Sequence, residues 1–141
     1  MMEKLPVKHR INLAAARHIA GAAEAEASDN NWAVVIAIID DGGHLVLLQR
    51  MDGTQLASID FATQKALSSL IYQRPTKAFE DSLLGGRQAV LALPGALPVN
   101  GGLPLYYGGD LIGAIGISGV TAEQDAQIAA AGVASLKSMS E

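Results

Sequence analysis

The fold is decided by Trp32–Ile39 (WAVVIAII), the turn Asp40–Gly43 (DDGG) and the returning stretch His44–Arg50 (HLVLLQR). The first run is apolar and rich in β-branched residues, which is typical of a central strand buried on both faces. Asp and Gly tolerate the positive φ angles that a tight hairpin turn needs. The sequence therefore predicts two antiparallel strands joined by this turn.

A second hairpin is predicted further along the chain, where Leu103–Tyr107 and Leu111–Ser118 flank a Gly-Gly-Asp turn. Gly113 and Gly116 lie inside its second strand. Glycine within a strand often marks the close approach of another backbone or a ligand. Hairpins, in place of strict strand–helix alternation, favour an antiparallel sheet.

Helical periodicity and capping residues predict the remaining elements. A first helix covers Asn12–Ser28, with Asn12 as its cap. A second covers Thr54–Tyr72, and Thr76 is expected to cap a short third helix that ends at Leu84. Thr121 and Gln124 fit a capping box that opens the last helix. We expect one α+β domain over residues 1–141, with a mostly antiparallel sheet of about five strands and helices packed on its faces.

Composition excludes several classes of protein. The 141 residues include no cysteine, so disulfides and thiolate ligands are excluded. The net charge is −4 and aromatic residues make up 4% of the chain, which argues against a nucleic-acid partner. Trp32–Ile39 is the longest apolar run and is far shorter than the ~20 residues that span a bilayer. The N-terminus does not resemble a signal peptide, so we expect a cytoplasmic protein without a membrane partner.

Charge is distributed unevenly along the chain. Between Ala89 and Leu136 the only charged residues are Asp110, Glu123 and Asp125. A segment so poor in charge needs to be buried, either in its own core or against another copy. A chain of this size has a small interior, so the pattern favours a homo-oligomer, although a surface rich in Gly, Ala, Ser and Gln would also explain it.

Common ligand motifs do not fit this chain. The glycines of Gly113–Gly119 follow the spacing Gly-x-x-Gly-x-x-Gly, whereas the dinucleotide fingerprint is Gly-x-Gly-x-x-Gly. No Walker lysine follows a glycine-rich loop. The histidines, His9, His18 and His44, lack the spacing of a zinc site, so we expect no metal centre of that kind.

Polar residues concentrate around the first hairpin and the second helix. Arg50, Lys65 and Arg74 could bind the carboxylate of a substrate or a propionate group. Neutralisation by neighbouring aspartates is the alternative. The candidate catalytic residues are Asp40, His44, Lys65 and Asp125. We expect these cations, together with nearby hydroxyls, to meet at one cavity where protomers touch.

An ordered series of motifs resembles the GlcG/HbpS family, also called DUF336 or the haem-degrading domain, which includes domains like the C-terminal part of PduO. The motifs are Ile39–Leu45, Arg50–Gly53, Ser58–Ala62, Lys65-Ala66, Arg74–Thr76, Asn100–Pro104, Gly113–Gly119, Gln124-Asp125 and Ala131-Gly132.

The resemblance implies a profilin-like fold and homo-oligomers, commonly dimers assembled into octamers. It also implies haem or another tetrapyrrole as the cofactor of some members, while others are encoded in catabolic operons. By the same resemblance, Thr76 is a candidate hydroxyl ligand, and Gly101 and Gly102 could offer backbone amides to a ligand.

Three hypotheses of function follow. The first is a haem-binding or small-ligand-binding protein with Arg50, Lys65, Arg74, Thr76, Gly101 and Gly102 at the site. The second is an enzyme acting on a small carboxylate, with Asp40, His44 or Asp125 in acid–base roles and Lys65 with Arg50 holding the substrate. The third is a structural accessory subunit whose activity is assembly.

Overall fold

The computed structural model describes residues 3–139. The helices are α1 (Leu13–Asp29), α2 (Ala57–Tyr72), α3 (Lys77–Leu84) and α4 (Ala122–Ser135), and the strands are β1 (Val35–Asp40), β2 (Leu45–Arg50), β3 (Gly102–Tyr107) and β4 (Asp110–Ser118). Short 3-10 helices occupy Gln88–Ala92 and Leu136–Met139. None of the helices in the described range combines the length and apolarity that crossing a membrane requires.

The strands form one antiparallel sheet in the order β2-β1-β4-β3. Both predicted hairpins and the α+β class are confirmed. The expected number of about five strands is wrong, because the sheet has four within residues 3–139. The chain between β2 and β3 folds as α2, α3, a 3-10 helix and a loop containing Pro94 and Gly95, and it contributes no strand.

The central strand β1 is buried on both sides, as its continuous apolar sequence predicts. Ile36 and Ile38 face a layer formed by α1 and α4, where the side chains of α1 are mostly alanine. Val35 and Ala37 face α2 on the opposite side of the sheet. The sheet is therefore the middle of three layers, with two helices on one side and α2 on the other.

Gly116 permits the closest approach between α2 and the sheet. It pairs with Ala37 across β1 and β4. A methyl group at this position would overlap the carbonyl oxygen of Ala62 and would lie 2.6 Å from the amide nitrogen of Ala66. The close approach predicted from glycine in this strand is confirmed, and the approaching backbone is that of a helix.

Two of the three predicted helix caps are present in the structure. Asn12 caps α1 by accepting a hydrogen bond from the Ala15 amide at 2.8 Å, and the Thr121–Gln124 capping box is present. The capping role predicted for Thr76 is wrong, because its side chain makes no cap hydrogen bond. Its Oγ1 accepts instead from the Gly102 amide at 3.0 Å, which fixes the start of β3 against α3.

Candidate functional site

A buried ion pair lies at the centre of the predicted site. Lys65 on α2 donates from Nζ to Asp125 Oδ2 at 2.8 Å and to the Ile117 carbonyl at 2.9 Å. The ammonium also lies 5.0 Å from the centroid of the Phe61 ring. Asp125 Oδ1 accepts from the Val120 amide at 3.1 Å. The pair therefore joins α2 to the end of β4 and the first turn of α4.

The polar atoms of Lys65 and Asp125 are buried and already hydrogen-bonded, so they have little room to bind a ligand. Burial raises the pKa of Asp125 above its ordinary value, and the hydrogen bond and positive charge of Lys65 oppose that rise. The side chains are 2% and 4% exposed, so solvent hardly reaches either group. Every fully buried side-chain nitrogen and oxygen in residues 3–139 has a hydrogen-bond partner. Lys65 is thus engaged inside the protein.

Thr76, Gly101 and Gly102 lie against this pair. Thr76 and Gly102 exchange two hydrogen bonds, since the Thr76 amide also donates to the Gly102 carbonyl at 3.1 Å. Gly101 has a φ of +128°, and a methyl group there would lie 2.8 Å from Lys65 Nζ. The structure therefore brings together Lys65, Asp125 and these three residues as packed interior, with the glycine backbone pressed against other protein atoms.

Asp40 and His44 lie together at the β1–β2 turn, where Asp40 has a structural role. Its Oδ1 accepts from the amides of Gly42 at 3.0 Å and His44 at 2.9 Å. Burial alone would raise the pKa of Asp40, but these two hydrogen bonds and the nearby His44 imidazole outweigh it and lower the pKa. The His44 side chain is 84% exposed, so the pair faces open solvent.

The two arginines lie apart from these groups and from each other. Arg50 is exposed at the opposite end of β2 from His44, beside Glu24 and Asp52. Arg74 is exposed near α3, where its guanidinium lies 5.6 Å from the Phe79 ring centroid. Within residues 3–139 the predicted cations do not meet at one cavity, because Lys65 is buried whereas Arg50 and Arg74 are exposed on different parts of the surface. A shared cavity between protomers stays a prediction.

A cavity of about 210 Å³ lies elsewhere, between the segment that precedes α1, the β3–β4 hairpin and the 3-10 helix at 136–139. Its lining includes the apolar side chains of Ile11, Ala15, Ile112, Leu136 and Met139. His9, Arg10 and Tyr107 also line it. An open groove of about 540 Å³ adjoins it and shares His9, Tyr107 and Leu136, while Lys137 lies along the groove.

His9 is held in place by Asp110, the first residue of β4. Asp110 Oδ2 accepts from the His9 amide at 2.7 Å and lies 2.9 Å from His9 Nδ1. These two hydrogen bonds, aided by the charges of His9 and Lys8, lower the pKa of Asp110 against a smaller effect of burial. The imidazole meets the Tyr107 ring edge to face, with centroids 4.9 Å apart.

No local signal in the sequence identifies His9 as a site residue. Its partner lies 101 positions away, so no local spacing connects the two residues. The hairpin prediction did place Asp110 at the β3–β4 turn, but it did not show which segment would pack against that turn. Within residues 3–139 no three His, Cys, Asp or Glu side chains are grouped so that they could hold a metal ion.

A sheet with helices on both faces, and a cavity with an adjoining apolar groove beside the β3–β4 hairpin, define the class as a small α+β domain with a concave surface site. The chain belongs to a particular family within that class, because the model of the HbpS-like haem-degrading proteins matches residues 11–134. It is 41% identical to the protein GlcG of Escherichia coli K12 over 100 residues, which cover 71% of this chain and 75% of GlcG.

Two solved structures extend the comparison to the whole fold. The Klebsiella pneumoniae protein ORFY, described as DUF336, has a TM-score of 0.90 and 31% identity, with 99% of each chain covered. A PduOC:heme complex has a TM-score of 0.81 and 27% identity, covering 90% of this chain and 95% of the other. The family predicted from the sequence motifs is confirmed.

Proposed function

We propose that this protein binds haem or a related tetrapyrrole in the groove beside His9 and the smaller cavity that adjoins it. The observation that carries the proposal is a mostly apolar groove of about 540 Å³ with an imidazole in its lining, in a chain whose structural relatives include a PduOC:heme complex. Ligand sites are commonly concave and mostly apolar, with a small number of placed polar groups. The groove that adjoins the cavity has that composition.

The side chains around the cavity fit the chemistry of an iron porphyrin. Tyr106, Tyr107 and Val133 line the groove and provide apolar surface for the macrocycle. Arg10 at the cavity and Lys137 along the groove are cations that can pair with propionates. When bound, haem supplies an iron centre whose reactivity depends on its axial ligand and on the polarity of the pocket.

The same geometry gives less support to an enzyme that acts on a small carboxylate. That hypothesis needs Lys65 and Arg50 to hold one substrate. Lys65 is engaged by Asp125, whereas Arg50 is exposed at the end of β2. Asp40 accepts two backbone hydrogen bonds and maintains a turn. Lys65 and Asp125 meet only as a buried pair engaged with each other, and Arg50, Asp40 and His44 lie away from it. The groups assigned to binding and to acid–base chemistry therefore form no common open site within residues 3–139.

Titration of the purified protein with hemin tests the proposal. We expect a saturable change in the Soret band, weakened when Arg10→Ala and Lys137→Ala are combined. Arg50→Ala combined with Arg74→Ala is the matched control, because it removes the same amount of positive charge away from the cavity. Linear uptake without saturation would reject haem binding. Equal weakening by both double variants would reject this location.

We also propose that the chain self-associates in the cytoplasm, as the charge-poor segment and the family resemblance suggest. Leu84 at the end of α3 and Leu91 in the adjacent 3-10 helix are 79% and 69% exposed. Large exposed apolar side chains of this kind are common at interfaces between copies.

Sedimentation of Leu84→Glu combined with Leu91→Glu should show smaller particles than wild type. Ala14→Glu, on the exposed surface of α1, should leave the particle size unchanged. A wild-type protein that sediments as a monomer would contradict the proposal.

A further inference from the structure

The three histidines of this chain differ in what their ring nitrogens contact. His18 Nε2 lies 3.1 Å from both the Ser135 carbonyl and Ser138 Oγ, so it is already engaged. The His44 imidazole is almost fully exposed and lines neither the cavity nor the groove. His9 alone lines both of them.

Three neighbouring residues fix the orientation of the His9 ring. Asp110 holds Nδ1 at 2.9 Å and Tyr107 packs against the ring with an interplanar angle of 81°. Gly108 leaves room for the imidazole, since a methyl group there would lie 2.8 Å from Cε1. Across residues 3–139, the structure shows hydrogen bonds to His9 at Nδ1 and the backbone amide, and none at Nε2.

This arrangement determines which nitrogen can act as a ligand. An ionised carboxylate only accepts hydrogen bonds, so a neutral His9 carries its proton on Nδ1 and a lone pair on Nε2. Histidines that bind metals commonly donate their other ring N–H to a carboxylate or a carbonyl, which fixes the tautomer. Haem iron is frequently held by such an imidazole.

We infer that His9 Nε2 is the axial ligand of the haem iron and that Asp110 is the residue that positions it. This inference rests on the proposed haem binding. The alternative is that the His9–Asp110 contact only anchors the segment before α1. Lys8 already anchors that segment, because its Nζ donates to the Leu111 carbonyl at 2.8 Å and pairs with Asp41 at 2.9 Å.

The experiment compares hemin complexes of His9→Ala, His18→Ala and His44→Ala by Soret absorbance and electron paramagnetic resonance. His9→Ala should lose the spectrum of nitrogen-ligated iron and regain it when free imidazole is added. His18→Ala and His44→Ala should retain the wild-type spectrum. Lys8→Met, which loosens the same segment without touching the imidazole, should also retain it.

Asp110→Asn tests the positioning role separately. Loss of such a carboxylate partner typically weakens metal binding by about tenfold or more, and we expect a similar loss of hemin affinity together with a higher reduction potential, because an imidazole without a carboxylate partner is a weaker donor to ferric iron. Far-UV circular dichroism establishes that each variant is folded. A wild-type spectrum and affinity in His9→Ala would overturn the inference while leaving haem binding intact. Failure of the wild-type protein to saturate with hemin would overturn the proposed function itself.

Discussion

Lys65 Nζ lies 2.8 Å from Asp125 Oδ2, and both side chains are almost completely buried. Such a pair is expensive to desolvate, and its main consequence is that neither partner can be removed alone. It links α2 to α4 across the end of β4, where Ile117 supplies a further acceptor. We interpret it as a determinant of how the two helical layers are joined.

Lys65→Met should therefore destabilise the protein strongly. Removing one partner of a buried ion pair typically costs about 3–5 kcal/mol, because the remaining charge is left buried. Urea denaturation measures the free energy of unfolding. Adding Asp125→Asn should recover part of the loss, since asparagine keeps an acceptor for the Val120 amide. Lys77→Met breaks an exposed pair with Asp81 and should have no measurable effect; a similar null result for Lys65→Met would contradict our interpretation.

Thr76→Val should destabilise the chain by about 1–3 kcal/mol, because the buried Gly102 amide loses its acceptor. Thr76→Ser keeps the hydroxyl and should lie near wild type. Hemin affinity, measured where both variants are folded, distinguishes this structural role from the ligand role that the family resemblance implies. We expect it to be unchanged in Thr76→Val. A loss of affinity confined to the valine variant would restore the ligand role.

The sequence predicted the fold well because its signals are local. Turn residues, capping residues and an apolar run identified both hairpins, the caps at Asn12 and Thr121, and the doubly buried strand β1. Thr76 was misassigned because a threonine before a helix has the same local pattern whether it caps that helix or accepts from another segment. Only the position of Gly102, 26 residues later, distinguishes the two roles.

The candidate site was less predictable because it depends on distant contacts. Sequence proximity suggested that Arg50, Lys65 and Arg74 cooperate, but β2 and α2 direct them to different places. Lys65 and Asp125 were both singled out, yet their pairing joins residues 60 positions apart. His9 and Asp110 are farther apart still, and composition gave no indication of their cavity. Tertiary packing, rather than motif spacing, determines which polar groups meet.

Gly101→Ala should be more destabilising than Gly53→Ala, although both glycines have positive φ angles of +128° and +87°. Both substitutions carry the backbone penalty of a conformation that favours glycine, about 1 kcal/mol. At Gly53 the added methyl group meets nothing within 4 Å, whereas at Gly101 it would lie 2.9 Å from the Ile117 carbonyl oxygen and close to Lys65 Nζ. Thermal unfolding of the two variants gives the comparison. Equal midpoints would mean that the packing around Gly101 yields easily.

The stability of Asp40 variants at different pH values distinguishes the contribution of the Asp40 charge from that of its hydrogen bonds. Asparagine can keep the acceptor for the Gly42 and His44 amides. At neutral pH, Asp40→Asn should therefore lower the free energy of unfolding less than Asp40→Ala, which should lower it by about 1–3 kcal/mol. The pKa of Asp40 is lowered in the folded protein from its ordinary value of 3.8. The unfolded chain therefore binds the proton first as pH falls, so the stabilisation by the ionised carboxylate is present above pH 3.8 and is lost as pH falls through the folded pKa.

Urea unfolding of wild type and Asp40→Asn, measured from about pH 6 down to about pH 3, tests the direction of this shift. The stability advantage of wild type should stay level while Asp40 is ionised in both states and should narrow below pH 3.8. Asp52→Asn, at an exposed position in the turn that follows β2, serves as the control for removing a nearby carboxylate without removing the contacts of the β1–β2 turn. An advantage that widens as the solution becomes more acidic would show that burial outweighs the hydrogen bonds at Asp40. The turn would then depend on the shape of the side chain and not on its charge.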